Sequence, residues 1–295
     1  MTAAVAPSLL RAFLRRWRAA ARRKLSGSHA GEFFSRFRGR GLEFEELRAY
    51  QPGDDVRDIA WTATARLGEP VVKVNRETRG RTVWIVGEDS PRLDFGFGGT
   101  QQLDDPWAGK AKRRTWLETI TFLTQIALYS GDRVGLAFVG ASSQLEPPRR
   151  NPLRVNAALA RLAESSPVDV DPWRVLERAS RRRGLVIAVA DFLDHALVDR
   201  LARIARRHEV VAVQIVDPWE RELPNVGLVR WRDSANSRNV VVDTSQPRYR
   251  VQFAAEVQRR DAALRRRLAS LRVPRVVVRT DAPVFASLAA SWPTR

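Results

Sequence analysis

The sequence predicts an α/β protein with a doubly wound, mostly parallel sheet, preceded by a small module rich in glycine and charge. Continuous apolar runs (Val83-Trp84-Ile85-Val86, Leu185-Val186-Ile187-Ala188-Val189, Val210-Val211-Ala212-Val213-Gln214-Ile215) do not alternate with polar residues, as strands covered on both faces do not. Long amphipathic stretches separate them, and β–α alternation of that kind builds a parallel sheet between two helical layers. Before residue 82 the composition is different: glycine and opposite charges dominate.

Three regions follow in order. Residues 1–26 hold an arginine-backed apolar stripe at Leu9, Leu10, Phe13, Leu14, Trp17 and Ala21, a basic amphipathic helix started at Pro7-Ser8. It suits either packing on its own domain or contact with anionic lipid or a partner. Residues 27–81 carry Gly39-Arg40-Gly41, an expected carboxylate-rich turn of helix at Glu43–Arg48, the turn signal Pro52-Gly53, and a short strand or extended arm at Pro70–Val74. Residues 82–295 are the α/β domain. Its expected strands are Val83–Val86, Val134–Val139, Leu185–Val189, Val210–Ile215 and Val276–Val278. Its expected helices are Arg114–Ser130, Leu153–Ala163, Trp173–Arg182, Leu197–Arg207 and Tyr249–Leu271, with a hairpin from Gly227–Arg232 and Val240–Asp243.

Composition bounds the chemistry. Without cysteine there is no disulfide, thiolate nucleophile or cysteine–zinc site. Arginines interrupt every apolar run near the N-terminus and no run reaches the roughly 18 residues of a membrane span, so a cytoplasmic protein is expected. The net charge is +18, yet only Lys24, Lys73, Lys110 and Lys112 of the 51 basic residues are lysines. That skew is what a GC-rich genome produces without selection for nucleic acid, so the charge is read chiefly as background plus a local basic stretch.

Catalytic signatures are missing: there is no GxxxxGK[ST], HExxH or GxSxG pattern. His29, His195 and His208 have no ligand-type neighbours at helical spacing and read as surface or capping residues. The paired acids Glu45-Glu46 and Asp54-Asp55 lie among Arg36, Arg38, Arg48, Arg57 and Arg66 and read as ion-paired. In doubly wound sheets a ligand sits beyond the carboxyl ends of the strands, where the strand order switches. The loops after Val86 and Val189 carry Glu88, Asp89, Asp191 and Asp194 there.

The run Gly31-Glu32-Phe33-Phe34-Ser35 through Gly39-Arg40-Gly41-Leu42-Glu43-Phe44-Glu45-Glu46-Leu47-Arg48-Ala49-Tyr50-Gln51-Pro52-Gly53-Asp54-Asp55-Val56-Arg57-Asp58-Ile59-Ala60-Trp61 resembles the signature of the domain of unknown function 58 family. So do Ala65-Arg66, Glu69-Pro70, Val72-Lys73, Ala190-Asp191-Phe192-Leu193-Asp194, His208-Glu209-Val210, Asp217-Pro218-Trp219-Glu220-Arg221-Glu222-Leu223-Pro224 and Val242-Asp243-Thr244. The resemblance implies a bacterial protein with a von Willebrand factor A-like domain, often encoded beside a MoxR-type AAA+ ATPase and acting in maturation or remodelling of other proteins. It supplies no catalytic residue.

A von Willebrand factor A domain holds a divalent cation through Asp-x-Ser-x-Ser after its first strand, with a later threonine and aspartate; hard oxygens suit Mg²⁺. Matching Thr82–Gly87 to that strand puts Glu88 at the aspartate, Ser90 at the first serine, Arg92 at the second, and Asp191 at the later aspartate. Arg92 brings a permanent cation to the metal position. At 4 Å, even two unit charges repel by about 4 kcal/mol at an effective dielectric of about 20. The preferred expectation is a degenerate, metal-free loop in which Arg92 pairs with Glu88, Asp89 or Asp191. The alternatives are an inert loop with Arg92 in solvent, and an intact Mg²⁺ site.

The functional expectation is a non-enzymatic interaction or adaptor protein serving the ATPase, without a cofactor, binding through Glu88, Asp89, Ser90, Arg92, Asp191 and Asp194. Two rivals are a nucleic-acid- or membrane-surface-binding protein using the helix from Leu9 to Leu25, and a metal-dependent hydrolase using Asp54, Asp55 and Asp58.

Overall fold

The computed structural model describes residues 46–51, 59–74, 81–96, 109–140, 143–161, 173, 176, 177, 183–232 and 239–292. The basic helix of residues 9–25, the glycines at 39–41, His29 and the acids Asp54, Asp55 and Asp58 lie outside these residues.

The first described unit is a strand pair with a helix beside it. β1 (Glu46–Ala49) pairs antiparallel with β2 (Val71–Val74), in the register Ala49 to Val71 and Glu46 to Val74. The carboxylate-rich segment expected as a turn of helix is therefore extended over Glu46–Arg48, because ladder pairing overrides weak local propensity. α1 (Trp61–Leu67) ends on Gly68 in the left-handed region (φ 75°), and its Thr64 Oγ1 accepts from Val71 N–H at 3.1 Å, tying helix to strand.

The main sheet comprises β3 (Thr82–Asp89), β4 (Arg133–Gly140), β5 (Gln144–Arg149), β6 (Leu185–Ala190), β7 (Glu209–Val216) and β10 (Arg275–Arg279). Its order is β10-β7-β6-β3-β4-β5, parallel throughout except for antiparallel β5. β5 contains Pro147-Pro148, which is tolerable only because it is an edge strand.

Successive residues of each strand feed two different cores. Val83, Ile85, Ile187, Val189, Val211 and Val213 face α2 (Ala111–Tyr129), α3 (Pro152–Arg161) and α6 (Val284–Ser291). Trp84, Val86, Val186, Ala188 and Ala212 face α4 (His195–Ile204) and the end of α5 (Pro247–Ser270). The fold is mixed α/β with a mostly parallel central sheet and helices on both faces. Two glycines permit the close packing. A Cβ on Gly87 would lie 2.6 Å from the Trp116 ring and 2.7 Å from Ile120 Cδ1; one on Gly135 would lie 2.5 Å from the Trp84 ring.

β8 (Leu228–Arg232) and β9 (Asn239–Asp243) form the expected hairpin as a separate two-stranded sheet. Pro247 starts α5, where the missing N–H costs nothing. Within that arginine-rich helix Asp261 pairs with Arg265, Arg221 and Arg275, and although its burial opposes ionisation, these arginines hold its carboxyl down at about 2.

Candidate functional site

The strand order reverses between β3 and β6, and the site lies at their carboxyl ends. β3 runs out through Glu88 and Asp89 into a 3-10 turn, Pro91–Leu93. Ser90 caps that turn, its Oγ accepting from Arg92 N–H at 3.2 Å. Leu93 is buried in the α2-side core and anchors the turn. The loop is therefore built to hold Arg92, and Ser90 spends its hydroxyl on the backbone.

Arg92 spans two acids. Its Nε donates to Asp191 Oδ2 at 3.1 Å, and its terminal nitrogen donates to Glu88 Oε1 at 3.2 Å. Asp89, the third expected partner, turns to a different cation: Arg113 binds Asp89 Oδ1 at 2.8 Å, Asp94 Oδ1 at 2.5 Å and the Ser90 carbonyl at 3.2 Å. Asp191, at the end of β6, is buried; its Oδ1 accepts from Leu193 N–H at 3.0 Å. Its carbonyl accepts from Gln214 Nε2 at 2.9 Å. The next residue, Phe192, has φ 59°, a left-handed conformation costly for an aromatic residue. Asp194 caps α4, its Oδ1 accepting from Ala196 N–H at 2.9 Å.

A second cation was missed in the sequence. Lys112, in the first turn of α2, is 0% exposed. Its Nζ donates to Glu220 Oε1 at 2.7 Å and to Asp191 Oδ2 at 3.5 Å. Glu220 sits in a 3-10 turn (Pro218–Glu220) and closes a capping box with Asp217. Asp217 Oδ2 accepts in addition from Thr280 Oγ1 at 2.7 Å. The available signal was composition: in a chain that uses arginine almost everywhere, Lys112 is one of four lysines and opens the longest apolar helix of the domain.

Burial, with Asp191 nearby, pushes Glu88 up to about 7 despite Arg92. Its Oε2 is buried and has no hydrogen-bond partner among the described residues. Glu220 is raised too, chiefly by burial, with Lys112 opposing. His208, expected at the surface, is instead buried at the start of β7; its Nδ1 accepts from Gly184 N–H at 3.3 Å, and burial lowers its pKa.

A divalent cation does not fit this arrangement. Asp191 Oδ2, the oxygen a metal would take, already receives Arg92 Nε and Lys112 Nζ. Ser90 Oγ is engaged in its turn, and among the described residues no group of three acids or histidines converges for a metal.

The fold and site define a mixed α/β protein with a cation-filled, ion-paired edge at the carboxyl ends of its parallel strands. The chain belongs to the family described as Protein of unknown function DUF58, whose model matches residues 46–263. Uncharacterized proteins of Mycobacterium tuberculosis and Mycobacterium bovis are each 32% identical over 284 residues, covering 92% of this chain and 85% of theirs. The chain is also similar to two solved structures at 13% identity. The BatB protein of Bacteroides thetaiotaomicron has a TM-score of 0.39, with 72% of this chain and 96% of that one covered. An aerotolerance-related membrane protein of Bacteroides fragilis has a TM-score of 0.37, covering 71% and 96%. No helix among the described residues is long and apolar enough to cross a membrane.

Proposed function

We propose that this chain is a non-enzymatic protein-interaction module: a von Willebrand factor A-type domain whose metal loop holds side-chain cations, acting as a cytoplasmic adaptor for a MoxR-type AAA+ ATPase. The observation that carries it is the convergence of Arg92 and Lys112 on Asp191 Oδ2 at the switch point of the sheet. In strand order along this domain the sheet reads 3-2-1-4-5-6, a doubly wound order in which ligands meet the carboxyl ends of the strands at the switch point. Loop tips at such an edge are where a rigid α/β scaffold presents residues to a partner. The ion pairs hold those tips, so a partner meets a partly preorganised surface and less side-chain ordering opposes binding. The ATPase partner follows from the family resemblance.

The test is affinity capture of the full-length tagged chain from its native host, followed by mass spectrometry. An AAA+ ATPase is expected with the natural chain and reduced at least tenfold with Arg92→Ala, with circular dichroism showing that the variant is folded. Capture without any AAA+ ATPase, or equal capture by both chains, would refute the reading.

A further inference from the structure

A cavity of about 370 Å³ opens beside Glu88, lined also by Gly140, Ser143, Ala196 and Arg200. Its walls combine an apolar side from Trp173, Val139 and Leu197 with carboxylates from Glu88 and Asp194. Among the described residues of the lining Arg200 is the one cation, its guanidinium carbon 5.8 Å from the Trp173 ring centroid. Among the described residues this lining sets two acids against one base, on a chain whose net charge is +18.

Glu88 is the unusual wall. Arg92 engages Oε1, while buried Oε2 has no partner among the described residues, a costly state for a carboxylate oxygen. Asp194 spends Oδ1 on the cap of α4. Glu88 lines the cavity, so a cationic group inside it is the partner that this oxygen lacks.

We propose that this cavity receives a lysine or arginine side chain of the partner protein, its alkyl stem along Trp173, Val139 and Leu197 and its cationic head against Glu88 and Asp194. The inference rests on the protein-interaction reading above and supplies its chemistry. A metal-bearing loop captures a carboxylate from its partner; this loop, with its cations already internal, captures a cation. Shape suits the occupant, because long basic side chains bury their stems and keep a charged head for a polar end. Charge suits it as well. At long range a chain of +18 attracts acidic surfaces, and the two carboxylates of this cavity then select a basic anchor set in such a surface.

The probe is n-butylammonium, titrated into the full-length ¹⁵N-labelled chain at constant ionic strength, with n-butyramide as the neutral control of equal length. Saturable shifts are expected at the amides of Gly140, Ser143 and Ala196, at least tenfold tighter for the cation than for the amide. Glu88→Gln and Asp194→Asn should each weaken the cation at least fivefold. Asparagine caps a helix as well as aspartate does, so Asp194→Asn decides the matter if Glu88→Gln is poorly folded. Non-saturable shifts, equal binding of the amide, or unchanged binding in Asp194→Asn would overturn the proposal. Capture of the ATPase with a silent cavity removes this inference alone; a responsive cavity without the ATPase removes only the choice of partner.

Discussion

Replacing Lys112 by methionine tests whether the site is held together by its buried charges. Methionine keeps most of the stem volume and removes the ammonium, which has no exposure to solvent. Two carboxylates lose a partner, unequally. Asp191 retains Arg92 at 3.1 Å and Leu193 N–H at 3.0 Å. Glu220 retains only the 3.3 Å bond from Asp217 N–H, but its side chain is 25% exposed, so water takes up part of the loss. Breaking a fully buried pair costs about 3–5 kcal/mol; with those compensations we expect about 2–4 kcal/mol. Urea unfolding followed by tryptophan fluorescence measures it. The double variant Lys112→Met/Glu220→Gln removes the stranded charge and should recover about 1 kcal/mol or more. A loss below about 0.5 kcal/mol for the single variant would refute the buried-pair argument. A double variant no better than the single would assign the loss to packing instead.

Glu88 gives the pH dependence: its folded value of about 7 lies above the ordinary 4.5, so the native state binds the proton more tightly than the unfolded state does. Its penalty is therefore full above about pH 7 and is relieved as pH falls towards 4.5, by at most about 3 kcal/mol. Wild-type chain should gain stability from pH 8 to 5.5 relative to Glu88→Gln; parallel denaturation curves would sink the assignment. Mg²⁺ or Mn²⁺ at 10 mM should leave the melting temperature of the EDTA-treated chain unchanged within about 1 °C, whereas a site of 10 µM affinity would add about 4 kcal/mol. A rise of several degrees, abolished by Ser90→Ala, would restore the metal reading. Gly87→Ala should cost about 1–3 kcal/mol in thermal unfolding, because its Cβ lies 2.6 Å from the Trp116 ring and 3.0 Å from Phe138.

The buried strands were legible because each is covered on both faces and so is written in uninterrupted apolar residues. The same logic hid β5, which pairs on one side only and carries two prolines. α1 and α6 are each about two turns long, too short for periodicity to speak, and β1 takes its conformation from β2 rather than from its own acids. At the site, Glu88 on the end of β3 and Arg92 in the turn that follows are four residues apart and could be matched by local spacing. Lys112 and Glu220 are 108 residues apart, and only the tertiary fold reveals that an ammonium closes the site. Arg113 likewise takes Asp89 away from Arg92 across 24 residues. His208 resembled a surface residue because its partner is a backbone N–H, for which no side-chain motif exists.

The difference between a metal and two side-chain cations decides what such an edge can recognise. A bound Mg²⁺ keeps a coordination position open to an incoming carboxylate and can be removed by chelation. Arg92 and Lys112 are tethered, and each is already bonded to two carboxylates, Arg92 to Asp191 and Glu88 and Lys112 to Asp191 and Glu220. Positive charge at the centre of the edge is thus internally satisfied. The oxygen left short of a partner belongs to an acid, Glu88, which faces a cavity with a second acid on its lining. On the proposed reading, fixed cations in place of a metal invert the unmet demand at the loop tips from anion to cation. Recognition would then be independent of free metal, with pH near the Glu88 value as the solution variable that bears on it.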